Sequence, residues 1–285
     1  MTDILQAAIA ESLGTDIARR SPLSGGCIGE VFRLRLGDGR DVAAKVDRSA
    51  HPRLDIEGHM LQYLADHSAL PVPEVLVSTP AVLVMAFVGG DSQFGAASQR
   101  HAAALLADLH GVRGQAFGLE RDTLIGSLHQ PNPWAESWVA FFRDQRLLHM
   151  AEHARKEGVM GAALLKRIES FAADLGNFIA EPEHPALLHG DVWTTNVLAS
   201  GGRITGFIDP AIYYGHPEIE LAFTTLFGTF GKDFFDAYAE RRPIPDGFFE
   251  TRRDIYNLYP LLVHARLFGA GYLNGVESTL ARLGY

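Results

Sequence analysis

The stretch LLHGDVWTTNVLA (187–199) sets a problem that ordinary packing does not solve. Leu187 and Leu188 lead into His189, Gly190 and Asp191, and Asn196 stands directly before a second apolar run. Asp and Asn are poor strand formers and costly to bury alone, so an acid and an amide five residues apart between strand-like segments imply a polar partner. The continuation NVLASGGRITGFIDP (196–210) reads as two strands, VLA and RITGFI, joined through SGG as a tight antiparallel hairpin. Asn196 precedes the first strand and Asp209 follows the second. Folding about Gly201 and Gly202 brings both to the open end, where opposed Cα atoms lie roughly 5 Å apart. Asp191 lies on the loop entering that same end. Two carboxylates and an amide oxygen gathered in this way form the hard-oxygen environment Mg²⁺ takes when it also binds nucleotide phosphates. The competing reading is two loop acids and an Asx turn.

The rest of the chain is compatible with such a site. Its 285 residues are 47% hydrophobic and 21% charged, enough apolar material for a sizeable core or for two lobes sharing a cleft. An apolar run such as AVLVMAFV (81–88) is far short of the roughly 20 residues a membrane span needs. A net charge of −9 argues against nonspecific nucleic-acid binding, which depends on a basic surface. The single cysteine, Cys27, forbids an intrachain disulfide and removes Cys-rich metal sites from consideration. MTDILQAAIAESLG (1–14) reads as an amphipathic helix and not a signal peptide, so a cytoplasmic protein is expected.

Residues 1–20 are expected to be helical. SPLSGGCIGEVFRLRL (21–36) turns through a glycine-rich bend into a strand, GDGR (37–40) is a hairpin turn, and DVAAKV (41–46) is the returning strand. A helix is expected over about 52–67. LPVPEV (70–75) is extended because of its prolines, AVLVMAFV is another strand, and GGD (89–91) is a break. Beyond it the chain is mostly helical, apart from the 187–210 region. The expected architecture is α+β and bilobal: a small β-rich lobe over 1–90 and a larger helical lobe over 91–285.

SGGCIGEV (24–31) fits the glycine-loop pattern G-x-G-x-x-G-x-V with Ser24 in place of the first glycine, leaving Gly26, Gly29 and Val31 in register. Glycines let backbone N–H groups approach phosphate oxygens; a glycine-rich hairpin by itself is more often a plain turn. Lys45 follows on the next strand, flanked by apolar residues, where an unpaired ammonium is expensive. In RLDIEGHMLQYLADH (53–67), Glu57 shares a helical face with Leu54, Leu61 and Leu64, while Asp55 is turned away. Glu57 therefore either pairs with Lys45 or snorkels at the helix edge.

Together these residues resemble the protein-kinase-like fold: glycine loop, strand lysine, helix glutamate, a loop with Asp and Asn five apart, then a metal-binding Asp. His-Gly-Asp stands where protein kinases have His-Arg-Asp, Asp-Pro-Ala (209–211) replaces Asp-Phe-Gly, and no Ala-Pro-Glu segment follows. These departures favour the small-molecule branch. Within it, SGGCIGEVFR (24–33), AAKVD (43–47), LDIEGHMLQYL (54–64), LPVPEV (70–75), LLHGDVWTTN (187–196), IDPAIYYGHPEIELA (208–222) and LFGTF (226–230) resemble the fructosamine kinase (ketosamine 3-kinase) family. The family commonly has Ser-Gly before the asparagine where this chain has Thr194 and Thr195, and an acidic residue where it has Ala86.

The resemblance implies ATP-dependent phosphorylation of a sugar hydroxyl on a ketosamine, either a free amine adduct or a glycated protein. It implies Asp191 as catalytic residue, Asn196 and Asp209 on Mg²⁺, and Lys45, fixed by Glu57, on the α and β phosphates of ATP. The loop Gly25, Gly26, Cys27, Ile28, Gly29 and Val31 would cover the phosphates, with Met85 and Phe87 in the adenine-binding stretch. Trp193 either stacks on the acceptor or simply packs, and Tyr214 and His216 are further acceptor-site candidates. His189 is expected to be structural, hydrogen-bonding the loop or the backbone of Asp191. Glu218 and Glu220 open a helix after Pro217 and are expected chiefly to complement its dipole. Trp134, Trp138, Phe141 and Phe142 form a stripe that is core or one wall of the acceptor pocket. Cys27 is either a small buried side chain or a thiol whose oxidation distorts the phosphate loop. A monomer or weak dimer is expected. The rival readings are a related kinase of aminoglycosides, choline-like alcohols or other sugars, and a nucleotide-binding pseudokinase.

Overall fold

The computed structural model describes residues 3–23 and 29–285. The chain opens with helix α1 (Ile4–Leu13), started by the Asp3 carboxylate accepting from the Leu5 N–H at 3.2 Å. Gly14 ends it in the left-handed conformation, φ 65°. The expected helix over 1–20 is therefore too long. The chain reverses at Gly14 and residues 17–22 instead complete the free edge of a sheet, with Arg20 lying over the Phe32 ring at 3.6 Å.

That sheet contains β1 (Ile17–Pro22), β2 (Glu30–Leu36), β3 (Asp41–Val46), β4 (Val75–Ser78) and β5 (Val82–Ala86), all antiparallel, in the order β1-β2-β3-β5-β4. Helix α2 (Leu54–His67) packs on it through Leu54 and Leu61 against Leu83 and Met85. α1 packs on it through Leu5 and Ile9 against Leu34, Val42 and Val84. In the register Val31 faces Lys45 and Lys45 faces Leu83, so the lysine stands in the middle of the sheet.

The remaining chain is helical around one large apolar core: α3 (Ala96–Leu109), α4 (Trp138–Phe141), α5 (His149–Lys156), α6 (Ala162–Ala173), α7 (Pro217–Leu226), α8 (Lys232–Arg241), α9 (Arg253–Tyr256), α10 (Leu258–Phe268) and α11 (Leu273–Arg282). Set into it are β6 (Thr123–Ile125), β7 (Leu128–Gln130), β8 (Ala186–Leu188), β9 (Val197–Ser200), β10 (Arg203–Phe207) and β11 (Tyr213–Gly215). β9 and β10 form the hairpin read from the sequence, and Ile208 N–H donates to the Asn196 carbonyl at 3.0 Å across its open end. β8 is the strand expected ahead of His189, but its partner β11 and the β6–β7 hairpin carry no sequence signal, because runs of three residues have too little periodicity to register.

The aromatic stripe divides. Trp134 lies outside the helix, 52% exposed, because Pro133 keeps its segment extended, whereas Trp138, Phe141 and Phe142 are buried. The Trp138 indole N–H donates to the Tyr256 hydroxyl at 3.1 Å. Trp138 is thus core and does not line the cleft described below. Trp138→Ala should cost roughly 3–5 kcal/mol of unfolding free energy in urea titration. Loss below about 1 kcal/mol would show that the ring is not integral to the core.

Candidate active site

The buried strand β8 delivers His189, Gly190 and Asp191 to the open end of the β9–β10 hairpin. Gly190 has φ 85°, and a Cβ there would sit 2.0 Å from the Ala211 carbonyl oxygen. Only glycine allows this approach of the loop to the Asp209–Ala211 segment. Ala211 N–H in turn donates to the His189 carbonyl at 2.8 Å. The His189 ring is buried and its Nδ1 accepts the Asp191 N–H at 3.3 Å. Burial holds its pKa down, so the ring stays neutral and the acceptor is preserved.

Asn196 lies beneath the aspartate. Its Nδ2 donates to Asp191 Oδ2 at 2.8 Å and to the Asp191 carbonyl at 3.1 Å. Asp209 follows the hairpin with φ 53°, the sole positive φ outside glycine among the described residues. A strained backbone of this kind persists only where its surroundings over-determine it. Here the Lys45 ammonium contacts Asp209 Oδ1 and donates to Glu57 Oε1 at 2.8 Å. Lys45 and Glu57 are 7% and 6% exposed, so a single buried cation serves two carboxylates drawn from a helix and from the hairpin.

The electrostatics follow from this geometry. Burial works against the Lys45 ammonium, but Asp209 and Glu57 overcome it and raise its pKa. Burial would raise Asp209 too, yet Lys45 holds it below the ordinary carboxylate value. Glu57 is raised, by burial first and by the competing Asp209 charge. Asp191, without a cation, is raised well above its ordinary value by burial and then by Asp209.

One cleft is lined by Lys45, Glu57, Met60, Leu124, Gly126, Asp191, Trp193, Thr195, Asn196, Asp209 and Pro210. Among the described residues no cluster of three His, Cys, Asp or Glu side chains could hold a metal alone. The Asn196 amide oxygen and Asp209 carboxylate nevertheless suit Mg²⁺, which takes one or two protein oxygens and completes its shell with phosphate and water.

Other sequence expectations lie elsewhere. Gly25, Gly26, Cys27 and Ile28 fall outside the described residues. Gly29 is described, with φ 69° and its backbone against the Val46 carbonyl. Met85 packs beneath α2, and the Phe87 ring carries the Arg33 guanidinium at 4.1 Å; neither lines the cleft. Tyr214 also lies outside it, its hydroxyl 3.2 Å from that of Tyr63. His216 is the N-cap of α7, its Nδ1 accepting the Glu218 N–H at 3.1 Å.

The sequence reading missed the group behind the loop. Glu220 is 2% exposed; the Gly190 N–H donates to its Oε1 at 2.6 Å and the His189 N–H reaches Oε2 at 3.4 Å. His110 Nε2 also reaches Oε2, at 2.9 Å, and His110 Nδ1 lies 2.7 Å from the Tyr238 hydroxyl. Burial would raise the Glu220 carboxyl, but His110 and the loop N–H group outweigh it and keep it ionised. A helix-opening glutamate suggests dipole compensation; nothing local reveals that a loop 30 residues upstream converges on it. Glu218 has its own partner, Arg252, at 2.6 Å.

Glu220→Ala should strand those donors, cost about 2–4 kcal/mol of stability and lower kcat; an unchanged kcat in folded protein would remove its positioning role. His216 gives a pH prediction. Burial, with Arg252 and His110 adding to it, holds its pKa at about 3. Unfolded histidine titrates near 6.5, so between these values only the unfolded chain binds the proton and stability falls as pH falls. His216→Asn keeps an N-cap without titrating and should flatten that fall in urea midpoints measured from pH 7 to 4; an unaltered slope would contradict this.

The chain matches the model of the fructosamine kinase family over residues 1–284. A probable ketoamine kinase of Vibrio parahaemolyticus is 33% identical over 273 residues, covering 94% of this chain and 93% of its own. The chloroplastic protein-ribulosamine 3-kinase of Arabidopsis thaliana is 31% identical, covering 95% of this chain and 84% of its own. A crystal structure of a candidate fructosamine-3-kinase from Thermobifida fusca superposes with a TM-score of 0.86 at 28% identity, over 98% of this chain and 97% of that one. The shared fold and the match along nearly the whole chain lead to one conclusion: this protein belongs to the fructosamine kinase family.

Proposed function

We propose that this chain is an ATP-dependent kinase that phosphorylates a sugar hydroxyl of a ketosamine, a fructosamine- or ribulosamine-type adduct. The observation that carries the reading is the convergence of Lys45, Asp191, Asn196 and Asp209 on one cleft. Residues 1–90 act as the nucleotide lobe and residues 91–285 carry the catalytic loop and acceptor site. Lys45, held by Glu57, binds the α and β phosphates, the glycine-rich segment Gly25, Gly26, Cys27, Ile28, Gly29 and Val31 contributes to phosphate binding, and adenine lies beyond the cleft lining, against the backbone of the Met85–Phe87 stretch.

Asp191 orients the acceptor hydroxyl and takes its proton as the new O–P bond forms and the bond to the leaving ADP breaks. Asn196 fixes the carboxylate by donating to Oδ2, leaving Oδ1 for the hydroxyl. Burial and Asp209 raise the Asp191 pKa and so make it a better proton acceptor than an exposed carboxylate. Asn196 and Asp209 would hold Mg²⁺, which when bound neutralises phosphate charge. Phosphoryl transfer asks little covalent chemistry of the protein, so positioning and charge supply most of the acceleration. A cytoplasmic setting agrees with one cysteine in 285 residues.

The test is a screen of glycated amines with Mg·ATP, read by mass spectrometry for a gained phosphate, beside aminoglycoside and choline-like acceptors. Ketosamines should be phosphorylated, and Asp191→Ala should lower kcat about 10²–10⁴-fold. Transfer confined to the other acceptors would refute the substrate class, and undiminished transfer by the variant would refute the mechanism.

A further inference from the structure

The cleft has a polar floor and one aromatic side. Asp191, Thr195 and Asn196 supply the polar groups, while Trp193 supplies the aromatic wall. The tryptophan does not stand alone. Its ring packs on Phe227 at 5.5 Å between centroids and meets His264 edge-on at 5.8 Å and 88°. Phe227 lies 4.7 Å from His264 and 6.4 Å from Tyr272; His264 continues to Tyr272 at 5.2 Å and to Phe268 at 5.4 Å. Phe268, at the end of α10, is 53% exposed, and Gly269, Ala270 and Gly271 beside it are exposed as well.

His264 is the keystone of this row. It is 5% exposed, its Nδ1 lies 2.8 Å from the Pro260 carbonyl and therefore carries the proton, and its Nε2 is buried without a partner. The ring is neutral, so the whole row is uncharged. Such a surface suits aliphatic chains, aromatic rings and the edge of an ammonium group, and offers little to a sugar's hydroxyls.

Resting on the kinase reading above, we propose that Trp193, Phe227, Tyr272 and Phe268 form an acceptor ledge that binds the substituent on the ketosamine's amine, and that the enzyme prefers ketosamines of long apolar or aromatic amines to those of short ones. Trp193 lines the cleft and packs on Phe227, so the row of rings begins at the cleft wall, and this adjacency identifies the occupant. With the sugar hydroxyl at Asp191, the amine end is the part left to leave the cleft. The centroid steps of 5.5 and 6.4 Å from Trp193 to Phe227 to Tyr272 exceed what a methyl group on nitrogen can follow. Discrimination therefore depends on the length of the substituent.

The experiment compares fructose ketosamines of methylamine and of 4-phenylbutylamine as acceptors with Mg·ATP. The wild type should show a KM about tenfold lower for the phenylbutyl compound. Phe268→Ser, at an exposed position, and Tyr272→Ser should each shrink that ratio to about threefold or less, while Phe249→Ser, an exposed phenylalanine elsewhere, should leave it as in the wild type. Turnover with equal KM for both acceptors, or a ratio that survives both ledge variants, overturns the ledge and leaves the kinase reading standing. No turnover of any ketosamine overturns the kinase reading and the ledge with it.

Discussion

A single buried ammonium joins the parts of this molecule that chemistry needs together. Lys45 stands in the centre of the sheet and Glu57 comes from α2, both buried, and Asp209 reaches them from the far end of the β9–β10 hairpin with its side chain still 27% exposed to the cleft. An isolated buried charge is prohibitively expensive, so each of these groups requires the others. The balance is unequal, with two carboxylates to one cation. Burial and the neighbouring Asp209 raise the pKa of Glu57 and of Asp191 nearby, so the cleft holds more acid than its one cation keeps fully ionised.

The His189–Asp191 loop is braced from behind by a dry arrangement. Glu220 accepts backbone donors from the loop and a side-chain donor from His110, which touches Tyr238 in turn. Gly190 lets the loop lie flush against the Ala211 carbonyl, and neutral His189 holds the Asp191 N–H. Asp191 is thus fixed through its backbone on one side and through Asn196 on the other. Such restraint is what phosphoryl transfer asks of a protein, since its barrier is lowered mainly by placement and charge.

The Trp193 side of the cleft is built differently. A polar floor meets an uncharged row of rings whose spacing is set by α10 and by the turn after α7. The β6–β7 hairpin contributes Leu124 and Gly126 to the opposite lining.

By itself the sequence determined the elements whose signals are local: the β2–β3 and β9–β10 hairpins from their turn residues, α2 from its apolar spacing, and the inward face of Glu57 from helical phase. It also marked Asp191, Asn196 and Asp209, because a polar residue at a strand end is conspicuous in a short window. What it could not carry was anything set by distance along the chain. Only tertiary structure decided that Lys45 also meets Asp209, that Glu220 serves a loop instead of a helix dipole, that His216 caps α7, and that residues 17–22 close a sheet edge. The reason is physical: periodicity and turn chemistry act over a few residues, whereas the partner of a buried charge is chosen by packing that brings together segments up to 164 residues apart.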